Sequence, residues 1–277
     1  MIRRLAVLLL LATPLWAEEK SPVVQMETNF GTLKIELYFN DAPKTVTSYL
    51  SLCDKKLYDG LIFHRIIKKF MAQGGDPQQT GGKELDYKLP AEFNAHKHVK
   101  GTLSMARTFE PNSAGSQFFL CFGDVAFLDN QYTVFGQVTE GLDVLTKIEN
   151  AAATDRDGQP PLVEVKIVSA KVLSKPEKLP ELVKIKPEEV PFIGVMPNMK
   201  QSIDGVMIGQ LNPQGGGKSS GLLVGDLIKK VGDVEVKNLS DYAKALLPVK
   251  PGKAVTFSVL RKGEEMKIEV TPGKMGG

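Results

Sequence analysis

The stretch "LIFHRIIKKFMAQGGD", Leu61 to Asp76, sets one guanidinium, Arg65, in an apolar run and closes it with Gln73-Gly74-Gly75. Other chemistries lack their parts. No Ser sits in a G-x-S-x-G elbow, so acyl transfer has no nucleophile. No HExxH, CxxC or paired Cys/His spacing is present, and His64, His96 and His98 form no metal pattern. His64, beside Arg65, reads as a satisfied structural histidine. "NPQGGGKS", Asn212 to Ser219, ends like a phosphate loop, but Asn212 stands where the first glycine must be, so a flexible surface loop is expected. Any reaction carried out here is therefore expected to need no proton transfer, protein nucleophile or metal, and no cofactor is expected.

Arg65 carries the remaining chemistry. On a strand, Phe63, Arg65 and Ile67 share one face, and His64 and Ile66 the other. An arginine among apolar neighbours projects into a groove, where it keeps its charge and five fixed donors. The sequence supplies apolar walls in Phe70, Met71, Phe119 and Leu128, and neutral hydrogen-bonding groups in Gln73 and Gln117. An apolar pocket beside one guanidinium suits a ligand that is apolar at one end and amide-like at the other, as proline in a peptide is.

The elements that must hold these residues are short. Val23 to Leu37 alternates in polarity around Asn29-Phe30-Gly31, which predicts two strands and a tight turn. Asp41-Ala42-Pro43 reads as a cap before a helix carrying Val46, Tyr49, Leu50 and Cys53 at helical spacing. Strands follow at Ile62 to Ile67, Phe70 to Gln73, Thr102 to Ala106, Gln117 to Cys121 and Thr133 to Val138. A helix at Leu142 to Ala151 and a closing strand at Val163 to Leu173 complete the unit. Many short strands with two added helices predict a mainly β barrel or sandwich. From 174 to 190, Pro176, Pro180 and Pro187 stand among charges, the composition of a semi-rigid linker. A smaller unit follows. Phe192 to Met196 and Val206 to Gln210 read as strands, Leu239 to Leu247 as a helix, and Lys262-Gly263 as the turn of a hairpin.

Bulk properties narrow the setting. The chain has 277 residues, enough for two domains. Its 35 basic and 32 acidic side chains leave a net charge of +3, too balanced to imply nucleic acid or an anionic membrane as partner. Two cysteines, Cys53 and Cys121, build no disulfide framework; they read as buried free thiols, with a single bridge between them as the alternative. Arg3 and Arg4 precede the apolar run Leu5 to Trp16, with Ala17 before Glu18, which is the pattern of an export signal over residues 1–17. That run is too short to span a bilayer, and no later one is long enough. The mature chain is expected in the bacterial periplasm or outside the cell, with an uncleaved N-terminal anchor as the alternative reading.

"FHRIIKKFMAQGGDPQQTGG", "GTLSMARTFEPNSAGSQFFLCF" and "FLDNQYTVFGQV" resemble the cyclophilin family of peptidyl-prolyl cis-trans isomerases, in the family's order and spacing, over residues 22–173. The resemblance implies an eight-stranded antiparallel β-barrel with two capping helices. By motif position it implies Arg65 as the catalytic arginine and Phe70, Met71, Phe119 and Leu128 as the proline pocket. Gln73, Ala106, Arg107 and Gln117 fall at the peptide-backbone contacts. Phe127 stands where animal members often carry tryptophan, and Tyr132 where they carry histidine, as in bacterial members. Lacking an indole N–H at Phe127, the chain is expected to bind cyclosporin weakly while keeping isomerase activity.

"PFIGVM", "GLLVGDLIKKVGDVEVKNLSDYAKAL" and "VTFSVLRKGEEMKIEVTP" look like a small α+β PDZ domain of bacterial type, over residues 191–273. The resemblance implies that the backbone N–H groups of Phe192-Ile193-Gly194-Val195 catch a peptide's C-terminal carboxylate while the peptide adds as a strand. Tyr242 and Leu246, one helical turn apart, would line the facing side; alternatively Phe192, Ile193 and Val195 simply fill the core. The expected function is proline isomerisation in the cell envelope, with the PDZ unit recruiting proline-containing clients or a partner. The alternative is a non-catalytic adaptor that holds extended chains with both units.

Overall fold

The structure is a computed structural model that describes residues 21–80, 82, 85–199 and 204–275. The expected signal at 1–17 lies outside the described residues. The first unit contains β1 (Val23–Thr28), β2 (Gly31–Leu37), α1 (Pro43–Asp54), β3 (Arg65–Ile67), β4 (Met71–Gly74), β5 (Thr102–Met105), β6 (Phe118–Cys121), β7 (Val134–Glu140), α2 (Leu142–Ala152) and β8 (Ile167–Ser174). The eight strands form one antiparallel sheet in the order β3-β4-β6-β5-β7-β2-β1-β8. The sheet curls until its edges meet: Gly60 N donates to Ile167 O, Ile167 N to Leu61 O and Phe63 N to Val165 O. That contact uses residues before β3 and the residues around the start of β8, Val165 and Ile167, and both strands begin later than their apolar runs.

Helix α1 is capped differently from the expectation. Ala42, not Asp41, is the cap residue and makes no side-chain bond. The orphan N–H groups of Lys44 and Thr45 instead donate to the Glu92 carboxylate at 3.1 and 2.8 Å. Helix α1 buries Val46, Tyr49, Leu50 and Cys53, and α2 buries Val144, Leu145, Ile148 and Ala152. These residues pack on the sheet's inner face, where Phe118 meets Tyr49, Tyr58 and Phe63 edge-on, with ring centroids 5.4–6.0 Å apart.

Strand β6 reads "FFLC" because both of its faces are covered. Phe118 and Leu120 enter the main core, while Phe119 and Cys121 join a second cluster with Met71, Val125 and Leu128 on the opposite face. Cys53 and Cys121 are free and buried, and burial pushes both thiols up to about 12.

The second unit contains β9 (Pro191–Phe192), β10 (Val195–Pro197), β11 (Val206–Leu211), the one-turn α3 (Gly216–Ser219), β12 (Leu227–Val231), β13 (Val234–Glu235), α4 (Leu239–Leu246), β14 (Val255–Arg261), β15 (Glu264–Val270) and β16 (Gly273–Lys274). Its main sheet runs β10-β11-β12-β14-β15, with β13 on β12; β9 pairs with β16. Asn238 caps α4 by accepting from Asp241 N at 3.0 Å. The hairpin β14–β15 turns at Lys262 and Gly263, both at positive φ.

Two expectations fail in this unit. The strand foreseen over Phe192 to Met196 is broken at Gly194, whose φ of 74° leaves the strand region. The glycine run in "NPQGGGKS" is not a flexible surface loop, because Gly216 and Gly217 are buried. A Cβ at Gly215 would lie 2.4 Å from Ile193 O, and one at Gly216 would lie 2.1 Å from Thr271 O. The glycines are there because backbone packs on backbone. The linker is also fastened: Ile185 and Lys88 exchange two backbone hydrogen bonds, and Leu179 and Leu182 pack on the first core.

Candidate active site

Strand register brings the expected site residues together. Arg65 pairs with Gln73 across β3–β4, Gln73 with Phe119 across β4–β6, and Phe119 with Ser104 across β6–β5. Cross-strand partners share a face, so the arginine, the amide and the ring form one row. The adjacent row on that face is Ile67, Met71 and Cys121. The loop after β6 adds Leu128 and Tyr132, and the end of β5 adds Ala106 and Arg107. Arg65, Phe70, Met71, Gln73, Phe119 and Leu128 line a slot of about 100 Å³, with Ala106, Arg107 and Tyr132 completing it. That is far below the several hundred Å³ of a typical drug-sized site, and it suits one small ring.

The slot is apolar at depth: Met71 is 1% exposed, and Phe119 and Leu128 are 4% exposed. Phe127 stands outside it at the rim, exposed, with its ring 5.6 Å from that of Phe70. Gln117 is also outside the slot but orients Gln73, accepting from Gln73 Nε2 at 2.8 Å. Arg107 contributes to the lining while its guanidinium is engaged elsewhere. Its Nε and Nη2 donate to Gln131 O, and its Nη1 donates to Thr108 O and Phe109 O, with the guanidinium 4.4 Å from the centre of the Tyr132 ring.

The Arg65 guanidinium divides its donors. Nε and Nη2 form a bidentate pair with Asp157, at 2.6 and 2.8 Å. Nη1 turns to the slot, 3.2 Å from Gln73 Oε1 and 3.9 Å from Met71 Sδ. The pair with Asp157 is solvated, since the Asp157 side chain is 64% exposed. The hydrogen bond from Arg65 holds the Asp157 carboxyl below its ordinary range, against the opposing effect of burial.

Two residues missed from sequence support this arrangement. Asp157 is one, and no spacing signal links it to an arginine 92 positions earlier. His98 is the other. Fully buried, it meets Asp129 through Nδ1 and Ser104 through Nε2, both at 3.1 Å, and lies parallel to Phe119 at 5.9 Å. Burial lowers its pKa, against the pull of Asp129. His64 departs from expectation: its Nδ1 is buried with no hydrogen-bond partner among the described residues, and burial lowers its pKa.

In the second unit, Ile193, Val195, Tyr242 and Leu246 are all buried in the core, while Phe192 is half-buried at the end of β9. The backbone N–H groups of Ile193 and Gly194 converge on one atom, Glu110 Oε1 of the first unit, at 2.8 and 3.0 Å.

A curled eight-stranded antiparallel sheet bearing an arginine beside a proline-sized slot defines a proline isomerase. Residues 23–172 match the family described as cyclophilin type peptidyl-prolyl cis-trans isomerase, and residues 191–271 match the PDZ domain. The chain belongs to the cyclophilin-type peptidyl-prolyl cis-trans isomerases and carries a PDZ domain after the catalytic one. It is 43% identical over 155 residues to peptidyl-prolyl cis-trans isomerase-like 1 of Neurospora crassa, covering 54% of this chain and 93% of that protein. It is 43% identical over 134 residues to a peptidyl-prolyl cis-trans isomerase of Helicobacter pylori, covering 47% and 82%. A Cryptosporidium parvum cyclophilin crystallised in the presence of the dipeptide Ala-Pro superposes with a TM-score of 0.51 at 34% identity, covering 55% of this chain and 99% of that one.

Proposed function

We propose that Arg65 is the catalytic residue of this isomerase and that Phe70, Met71, Phe119 and Leu128 seat the proline ring. The observation that carries this reading is Arg65 Nη1, which faces the slot while the other edge of the fork is tied to Asp157. Rotation about an X–Pro amide costs about 20 kcal/mol, because the nitrogen lone pair is shared with the carbonyl. In the twisted transition state the lone pair returns to nitrogen and accepts a hydrogen bond. A donor aimed there favours the twisted state over both planar ones. Turnover of about 10–1000 per second needs a barrier of roughly 13–16 kcal/mol, so the site supplies about 4–7 kcal/mol. One charge-assisted hydrogen bond in a partly dry slot contributes about 2–4 kcal/mol. Holding the ring while the preceding carbonyl swings accounts for the rest.

The test is a proline-isomerisation assay on a short peptide. Arg65→Ala should lower kcat/KM at least about tenfold with the fold intact, and Arg65→Lys should not restore it, because a point charge lacks the planar fork. Unchanged activity in Arg65→Ala would remove the assignment.

The proposed setting of the chain rests on its other parts. The basic, apolar N-terminus supports work after export, in the periplasm or outside the cell. No helix among the described residues is long and apolar enough to cross a membrane. The PDZ unit supports recruitment of clients or a partner through a C-terminal or extended segment, with the 192–195 loop as the carboxylate site.

A further inference from the structure

The loop assigned to a ligand's carboxylate already holds one. Glu110 lies in the isomerase domain, is 2% exposed, and reaches into the PDZ domain. Its Oε1 accepts from Ile193 N and Gly194 N together. Two adjacent N–H groups aimed at one oxygen form an anion nest, which Gly194 makes possible through its positive φ. The nest is rigid. Gly217 N donates to Ile193 O at 2.9 Å and Asn212 N to Gly194 O at 2.8 Å, which fixes both peptides from behind.

The Glu110 side is equally built. Ser113 Oγ donates to Glu110 O at 2.6 Å, and Thr108 Oγ1 accepts from Glu110 N at 3.2 Å, closing a compact 108–113 loop. The short helical turn Pro111–Ser113 in that loop packs against α4, the helix facing the nest. A second contact between the domains lies close by, where Ser240 Oγ on α4 donates to Asn130 O at 3.1 Å.

We propose that Glu110 is an internal ligand of the PDZ domain, so that the isomerase domain closes the carboxylate loop in cis and a chain ending in a free α-carboxylate must displace it to bind. The proposal rests on the reading of residues 192–195 as the carboxylate loop. A tethered competitor acts at an effective concentration of roughly millimolar, so it lowers the apparent affinity of any free peptide by the fraction of molecules left open.

The test uses the full chain, wild type beside Glu110→Ala and the near-isosteric Glu110→Gln. The probe is a dye-labelled pool of random hexapeptides ending in valine with a free carboxylate; the same pool amidated is the control. The amide signals of Ile193 and Gly194 should shift in both variants. Glu110→Ala should bind the free-carboxylate pool at least about tenfold more tightly than wild type, and neither protein should bind the amidated pool. Short-peptide isomerase activity should stay within about twofold, which marks both variants as folded. Unmoved Ile193 and Gly194 signals in Glu110→Ala, or equal binding by wild type and Glu110→Ala, would overturn the internal ligand while leaving the carboxylate loop standing. Binding of free and amidated pools alike, or of neither pool by any protein, would overturn the loop assignment and the proposal with it.

Discussion

Arg65 is at once the residue the proposed chemistry needs and one half of an ion pair with Asp157, so the two roles must be separated by magnitude. A solvated pair such as Arg65–Asp157 contributes about 0–1 kcal/mol, because water screens both charges and ordering two side chains costs entropy. Nη1 stays at the slot whatever binds the far edge of the fork, held there by Gln73. Asp157→Ala should therefore lower kcat/KM by less than about fivefold and stability by less than about 1 kcal/mol, measured by the peptide assay and urea unfolding. A loss as large as that of Arg65→Ala would mean that Asp157 aims the fork. The contrast also marks the limit of sequence reading at this scale. Arg65, Met71 and Gln73 were legible because they sit within one hairpin, where alternation and pairing fix the shared face, while Phe70, in the turn before β4, followed from the motif resemblance. Asp157, His98 and the Glu92 carboxylate at α1 were not, because each reaches its partner from an irregular segment with no period to read.

Elements were legible where period and turn chemistry agreed, as in α2, in the β1–β2 hairpin, and in the β14–β15 hairpin with its Lys262-Gly263 turn. They were misread where glycine served close packing. Composition alone makes Gly215-Gly216-Gly217 look like a mobile loop, yet its backbone lies against Ile193 and Thr271. The two readings predict opposite results for one substitution. In a free loop, Gly216→Ala is neutral or slightly stabilising. In the packed turn, the new methyl meets backbone oxygen at 2.1 Å, and backbone cannot give way as a side-chain tip can. Gly216→Ala should destabilise the PDZ domain by about 1–3 kcal/mol, seen as an earlier PDZ-domain transition in thermal unfolding. Short-peptide isomerase activity should be retained. A melting curve identical to wild type would restore the flexible-loop reading.

At the scale of the whole molecule, the linker lies on the barrel and Glu110 joins the domains, so the two units do not act as beads on a free tether. Removing residues 174–277 should spare activity on a short peptide, because no slot residue lies beyond Tyr132. The same deletion should slow proline-limited refolding of an unfolded protein several-fold, because the local concentration of a captured chain is lost. Equal losses on both substrates would reject recruitment. The Glu110 contact also makes docking sensitive to pH. Burial raises the Glu110 carboxyl to about 7, against the lowering effects of the Gly194 and Ile193 N–H groups and of Arg107. The other titratable groups facing it stay fixed in the neutral range. Burial lowers Arg107 from a very high value, and burial together with Glu110 raises the Tyr242 hydroxyl well above its own. Undocked, Glu110 returns toward the ordinary carboxylate value of about 4.3. Between those values the docked state holds more protons than the undocked one. Docking should therefore be strongest in acid and weaken as pH rises through that window, by at most about tenfold per pH unit for one linked proton, and level off above it. Small-angle scattering of the full chain from pH 5 to 8 should show the radius of gyration rising with pH in wild type and flat in Glu110→Gln. Matching profiles for the two proteins would assign the response to some other group.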